Sequence, residues 1–395
     1  MNTDLKSKLQ QSLGTDKAPL SLPPETYRDD QLVKDEIAQI FRRQWIGLGR
    51  ADLVKNPGDY ICLDHAQQSI ILLRDITGAL QAYANSCRHH GARLLNGSGH
   101  ITGIRCPFHS WAYKLSGELA GAPRMGDAGM DDRGMDDQGE GGESDQFCKS
   151  DYGLIRYHLR EHGGFVFICF DDNPPDFEAV ISGFDALHAP WPMESLQSTR
   201  RREFEVACNW KAFIEVFNEY YHLPFVHPDS IDDLYLDPDP GDQTDGQFAT
   251  QFGSTEGTGA LLQDQQDHLL PLMPGLKGRE AAGVRYTWIF PNMTFAAGVD
   301  ALWLYEAYPI SAGRCHVVQT ACFPPETVAK PDFDEKVAAY YIRLDAALDE
   351  DIPALVNQQH GLNNPDARQG PFQPLLEPNV ARFAQWYAGQ MLKQG

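Results

Sequence analysis

The chain lacks most of the features that would place it in a common class. No Gly-x-Gly-x-x-Gly follows a strand-like run, and there is no ferredoxin-type cysteine set, so no nicotinamide, flavin or plant-type iron–sulfur domain is expected. Positive charge is scarce: 33 Lys and Arg stand against 55 Asp and Glu, a net charge of −22. That balance excludes nucleic acid and anionic membrane as partners. No run of about eighteen apolar residues offers a membrane span. The opening Met-Asn-Thr-Asp-Leu-Lys-Ser-Lys has no apolar signal region, so a cytoplasmic location is expected. The eight cysteines (62, 87, 106, 148, 169, 208, 315, 322) follow no disulfide framework, and a cytoplasmic chain keeps them reduced. No internal repeat is visible. The 395 residues, with an ordinary apolar fraction of 42%, are enough for two domains with substantial cores.

Against this background two short clusters stand out. Cys87-Arg-His89 is followed, after sixteen residues, by Cys106-Pro-Phe-His109. Each cluster can present one thiolate and one imidazole from a single tight loop. Two thiolates plus two imidazoles fit a Rieske [2Fe–2S] centre, in which two His replace two Cys on one iron. A structural Cys2His2 zinc site has the same ligand count, but its usual spacings pair Cys with Cys and His with His. His90 competes with His89; the Cys-x-His spacing favours His89.

Short alternating segments surround these clusters: Tyr60-Ile-Cys-Leu, Ser69-Ile-Ile-Leu-Leu and Leu80-Gln-Ala-Tyr-Ala, then Gly153-Leu-Ile-Arg-Tyr-His-Leu and Gly164-Phe-Val-Phe-Ile-Cys-Phe. They predict an all-β domain. Residues 126–146, rich in Gly, Asp, Glu and Met, interrupt it with too few large apolar side chains to build a core, and read as a mobile acidic, Gly-rich surface insertion. Residues 1–42 read as a helical lead-in packing on the second domain, with Pro23-Pro24 as a break. Residues 43–170 form the cluster domain and 171–395 the second domain. Aromatic-rich strands are expected at Arg285-Tyr-Thr-Trp-Ile-Phe, Ala301-Leu-Trp-Leu-Tyr-Glu-Ala-Tyr and His316-Val-Val-Gln-Thr-Ala-Cys-Phe, and helical periodicity from Phe333 to about Leu348.

Asn85-Ser-Cys-Arg-His-His-Gly-Ala-Arg-Leu and Arg105-Cys-Pro-Phe-His-Ser-Trp-Ala-Tyr resemble the two cluster-binding loops of Rieske non-haem iron oxygenases, large (alpha) subunit. The resemblance extends over most of the chain. It lies nearest the members that act on choline, carnitine or glycine betaine. It implies an α+β chain: an all-β Rieske [2Fe–2S] domain plus a helix-grip-like antiparallel-sheet catalytic domain with a mononuclear iron.

A second constellation lies in Asn209-Trp-Lys-Ala-Phe-Ile-Glu-Val-Phe-Asn-Glu-Tyr-Tyr-His222-Leu-Pro-Phe-Val-His227-Pro. The segment reads as helix up to His222, with Pro224 ending it near Leu223. His222 and His227 can then address one ion, and a carboxylate would complete the 2-His-1-carboxylate triad of Fe(II) that activates O2. In the family the ligand aspartate lies seven residues before a Gln, the register of Asp351 with Gln358; Asp349 and Glu350 are near rivals. Pro353 requires Asp351 to sit at a helix break or first turn. Glu219, one helical turn before His222, holds the position where the family bridges a cluster histidine of one subunit to an iron histidine of the next. Most members have Asp there, and Glu is common among those acting on quaternary ammonium compounds.

The resemblance implies a terminal oxygenase taking electrons from NAD(P)H through a separate flavin/iron–sulfur reductase, with or without a ferredoxin. It also implies a ring-shaped homotrimer in which neighbouring subunits supply the short path between the two metals. Tyr286, Trp288, Phe290, Phe295, Trp303, Tyr305 and Tyr308 on the strands offer aromatic faces for a methylated ammonium; Phe290, Phe295, Trp303 and Tyr305 are taken as the substrate pocket. With Glu219 they point to hydroxylation of an N-methyl carbon, and so N-demethylation, of a methylated or quaternary amine. An aromatic-ring hydroxylase or O-demethylase is the alternative within enzymes, and a Rieske electron carrier the alternative outside them.

Overall fold

The structure is a computed structural model describing residues 3–15, 17–125, 147–228 and 230–393, without the side chain of Asp233. The insertion at 126–146 lies outside the described residues. The chain divides into two compact units, residues 51–159 and residues 1–50 with 160–395. The strands Ile46–Arg50 and Phe165–Cys169, assigned from sequence to the cluster domain, pair with each other inside the second of these units.

The smaller unit is all-β. A four-stranded antiparallel sheet runs in the order Leu80–Ala84, Gln68–Arg74, Asp59–His65, Ser98–His100. A three-stranded sheet is built from Ile104–Arg105, Ala112–Tyr113 and Leu119–Gly121. The alternating segments read from the sequence at 60–63, 69–73 and 80–84 are its strands. Ile71, Leu73, Tyr83, Trp111 and Tyr113 fill its core, and Cys87 and Cys106 are buried with them.

The larger unit is organised by a seven-stranded antiparallel sheet. Its order is Gln197–Val206, Arg314–Phe323, Leu302–Ser311, Met293–Ala297, Gly283–Ile289, Phe248–Thr255, Tyr235–Pro238. Side chains alternate across it with period two. Tyr286 pairs with Ala296 and Ala296 with Trp303, so these residues and Tyr305 share one face. Phe295, opposite Thr287 and Leu304, points to the other, where it packs with Phe165 and Phe184.

Helix Trp210–Phe217 contacts the central strands Met293–Ala297 and Leu302–Ser311. A buried ion pair ties it to the lead-in: Lys211 Nζ lies 2.6 Å from Glu36 Oε1, both side chains wholly excluded from solvent. Trp210 Nε1 and the Tyr387 hydroxyl donate to the same carboxylate. Removing one member of such a pair strands a buried charge and costs about 3–5 kcal/mol. The anchorage therefore fixes the helix that leads into the His222 segment.

Two expectations are corrected. The helix ends at Phe217, not His222, because the Asn218 side-chain amide donates back to the Ile214 carbonyl at 2.8 Å and caps it. Pro224 instead opens a separate short helix, Leu223–Val226, where its missing N–H costs nothing. Pro353 does not break its helix either. Phe333–Leu362 is one helix of 30 residues with Asp351 inside it. Proline there forfeits only the bond to the Asp349 carbonyl, and packing on both sides of the position carries the helix through.

Candidate metal centres and substrate cleft

The two cluster loops are built alike. In the first, Cys87 N–H donates to the Ala92 carbonyl at 2.8 Å and Gly91 N–H to the Cys87 carbonyl at 2.9 Å. In the second, Cys106 N–H donates to Trp111 at 2.8 Å and Ser110 N–H to Cys106 at 3.1 Å. The fifth residue of each loop adopts a positive φ, 72° at Gly91 and 59° at Ser110. Glycine does this freely; serine does so at a cost, which the fixed turn absorbs.

The donors fit a two-iron cluster. Both thiols are buried, whereas the rings of His89 and His109 lie towards the surface with centroids 4.7 Å apart. Burial pushes the Cys106 thiol up, but backbone N–H groups of His109 and Phe108 and the neighbouring Cys87 outweigh it, leaving Cys106 below the ordinary thiol range. This favours the thiolate a metal needs. His89 stacks on Trp111 at 4.7 Å and 8°, and its buried Nδ1 has no hydrogen-bond partner. His90 lies beside them, its ring 4.0 Å from that of His89.

In the larger unit His222, His227 and Asp351 bring ligand atoms within 4.8 Å of one another. Asp351 Oδ1 lies 3.0 Å from His227 Nε2 and 3.6 Å from His222 Nε2, and this buried oxygen accepts no hydrogen bond. Both imidazoles are held from behind by a carboxylate. His222 Nδ1 donates to Glu219 Oε1 at 2.6 Å, and His227 Nδ1 to Glu350 Oε2 at 2.6 Å. Each Nε2 lone pair is thereby aimed at Asp351, and carboxylates in this position fix the tautomer and raise the basicity of metal-binding histidines. Glu219 reaches His222 from the turn after the helix, and its Oε2 also takes the backbone N–H groups of Tyr221 and His222. Glu350, a rival ligand on sequence grounds, stands behind His227; its part was not legible because its partner lies 123 residues away. Burial lowers the affinity of His222 for a proton, but Glu219 and Asp351 more than restore it, so its pKa is raised.

A partly open cleft leads to these three residues. Phe213, Phe217, Tyr220, Tyr235, Tyr286 and Tyr305 line it. The Phe217 ring lies 4.7 Å from that of Tyr305 and 5.2 Å from that of Tyr286. Of the four predicted pocket residues only Tyr305 lines the cleft. Trp303 sits behind Tyr286 at 6.4 Å. Phe290 packs on Phe383 and Trp386 of helix Pro378–Leu392, and Phe295 belongs to the opposite face of the sheet. Strand parity separates Phe295 from Tyr305, but only once the register is known.

Residues 44–130 match the Rieske [2Fe-2S] domain family, and residues 193–393 match the ring hydroxylating alpha subunit (catalytic domain) family. The chain belongs to the alpha subunits of the Rieske-type ring-hydroxylating oxygenases, enzymes that combine a Rieske cluster with a mononuclear iron. Among curated relatives it is 25% identical to the glycine betaine monooxygenase oxygenase subunit of Pseudomonas aeruginosa (strain UCBPP-PA14), over 94% of this chain and 89% of that one. Among solved structures it resembles the quaternary ammonium Rieske monooxygenase CntA in complex with gamma-butyrobetaine (TM-score 0.75, 22% identity, 99% of both chains). It equally resembles naphthalene 1,2-dioxygenase from Rhodococcus sp. (TM-score 0.77, 18% identity, 100% of this chain and 99% of that one). The likeness is in the fold and does not separate amine from arene substrates.

Proposed function

We propose that the chain is the terminal oxygenase of a multi-component N-methyl hydroxylase acting on a methylated or quaternary amine. In this reading Cys87, His89, Cys106 and His109 hold the [2Fe–2S] cluster, and His222, His227 and Asp351 hold Fe(II). When bound, the iron activates O2. One oxygen atom enters an N-methyl C–H bond and the other leaves as water, with two electrons from NAD(P)H delivered by a separate reductase. The resulting hydroxymethylammonium loses formaldehyde and a proton to leave the demethylated amine. The chain's own residues position the reacting methyl against Asp351 and the two histidines and keep bulk water from it. The observation that carries the amine reading is the ring-lined cleft beside the triad, since aromatic faces attract a desolvated methylated ammonium by about 2 kcal/mol or more.

Electron transfer in this reading runs between copies of the chain, Glu219 joining His222 to a cluster histidine of the next subunit in a homotrimer. Exposed apolar side chains support self-association. Tyr221 (50% exposed) and Phe225 (74%) flank the His222 turn, and Phe108 (65%) stands beside His109 on the cluster unit. A cytoplasmic location agrees with eight free cysteines, and among the described residues no helix is long and apolar enough to cross a membrane.

The test supplies a surrogate reductase, NADH and O2, and assays formaldehyde across methylated amines and aromatic acids. One formaldehyde per NADH from an amine is expected. Ring hydroxylation without formaldehyde would replace the amine reading with the arene one. Iron content separates an oxygenase from an electron carrier: about three per chain against two, falling to two with the cluster spectrum intact in His222→Ala, His227→Ala and Asp351→Ala.

A further inference from the structure

The cleft that holds Asp351 also holds a buried cation that, among the described residues, forms no ion pair. Arg343 is 3% exposed and lines the same cleft, two helical turns before Asp351 on the same face of helix Phe333–Leu362. Its Nη2 donates to the Tyr235 hydroxyl at 3.2 Å, and its guanidinium carbon lies 5.3 Å from the centre of the Trp303 ring. Its Nε is buried and makes no hydrogen bond, and among the described residues no carboxylate pairs with it within 4.0 Å. Arginine cannot shed its charge, and the one carboxylate that acts on it, Asp351, does so from beyond ion-pair distance across a cleft of tyrosines, so its burial is costly without a closer counter-charge. Two further groups share its condition: the Tyr220 hydroxyl in the cleft and Trp303 Nε1 beneath Arg343 are buried without hydrogen-bond partners. Three donors, Arg343 Nε, the Tyr220 hydroxyl and Trp303 Nε1, are thus left unpartnered around this cleft, while Asp351 in the proposed function is committed to iron.

We propose that Arg343 receives a carboxylate of the substrate, so that the enzyme takes a zwitterion, an N-methylated ammonium carboxylate, in preference to a simple quaternary cation. The planar guanidinium fork matches a carboxylate with two N–H groups. A bare cation entering the cleft would meet Arg343 uncompensated; a zwitterion brings its own counter-charge to it and leaves the ammonium to the aromatic rings. The ammonium half of this inference rests on the proposed function, and the carboxylate half stands on Arg343 alone.

The test is calorimetric binding to the anaerobic holoenzyme, followed by turnover. Glycine betaine and gamma-butyrobetaine are compared with choline and with the betaine methyl esters, in the wild type, Arg343→Gln and Arg343→Lys. The wild type is expected to bind at least one carboxylate more than about 10-fold more tightly than its ester. Arg343→Gln should weaken the carboxylate about 100-fold, chiefly through KM, while binding of the ester holds or tightens. Arg343→Lys should recover part of the loss, keeping the charge but not the fork. Iron content and the cluster spectrum report on folding; should Arg343→Gln not fold, the wild-type preference and Arg343→Lys carry the test. Equal losses for carboxylate and ester, a wild type indifferent to the carboxylate, or no carboxylate ligand at all would overturn the proposal. Should the wild type convert aromatic acids and no amine, the amine reading fails while the Arg343 assignment stands, provided Arg343→Gln costs those acids the same factor. Conversion of carboxylate-free arenes alone overturns both.

Discussion

Glu350 holds His227 in place: its Oε2 receives His227 Nδ1–H at 2.6 Å and the Ser230 hydroxyl at 2.7 Å. In the proposed function the carboxylate next in sequence to Asp351 therefore works on the iron site through an imidazole. Losing such a support lowers metal affinity by about 10–100-fold. Glu350→Ala is expected to lose mononuclear iron to a chelator at a correspondingly lower concentration, with the Rieske spectrum unchanged. Unaltered iron retention would show that packing alone orients His227.

Cys87→Ser and His109→Ala should each abolish the Rieske signal seen by electron paramagnetic resonance after reduction, while the catalytic unit folds and still takes up one iron. In the proposed cluster each iron takes two protein ligands, so removing one donor leaves one iron short of a ligand. A colourless wild-type protein with one zinc per chain and no acid-labile sulfide would refute the assignment.

Glu219→Ala should keep about three irons per chain yet stop turnover. The carboxylate orients His222 at 2.6 Å and in the trimeric reading carries the electron path to the next copy. Reduced cluster, mixed with substrate and O2 in a stopped-flow instrument, is expected not to reoxidise. Glu219→Asp should restore part of the rate. Full turnover in Glu219→Ala would remove the main support for the path between subunits.

Glu306 makes stability depend on pH. Burial pushes its carboxyl up to about 7 from 4.5, against the weaker opposing pull of the Arg201 charge and the Tyr308 hydroxyl. The folded state thus holds this proton where the unfolded chain has lost it. Its contribution is complete below about pH 4.5 and is lost as pH rises through 7. Glu306→Gln should flatten that decline, and its melting temperature should exceed that of the wild type at pH 8 by a few degrees. Parallel melting curves from pH 5 to pH 8 would place the proton elsewhere.

Much of this was legible because metal chemistry is local in sequence. Cys87 to His109 and His222 to His227 are short segments in which spacing alone restricts what the side chains can meet. The strands around the cluster were legible from alternation. Asp351 needed the family register, since it meets its partners from 124 residues beyond His227. The helix end at Asn218 was misread because a side-chain cap and a proline compete as stop signals and the nearer one won. Phe295 was misassigned because aromatic content does not reveal which face of a strand a residue takes, and Phe290 because it lies past the end of its strand, against helix Pro378–Leu392. Arg343 was passed over because a charge in an amphipathic helix usually marks its wet side, and here one marks the buried side; Glu350, weighed as a ligand, instead supports His227.

Arg343 and Asp351 are mounted eight residues apart on a single helix, about 12 Å along its axis. The segment between them is helical throughout; the one backbone bond it forfeits, from Pro353 to the Asp349 carbonyl, falls at its Asp351 end. The spacing between anchor and reacting centre is therefore a gauge that thermal motion cannot stretch without breaking backbone hydrogen bonds. Selection among substrates of different chain length would have to act by lengthening or shortening side chains at the two ends, as a caliper is reset by changing its jaws.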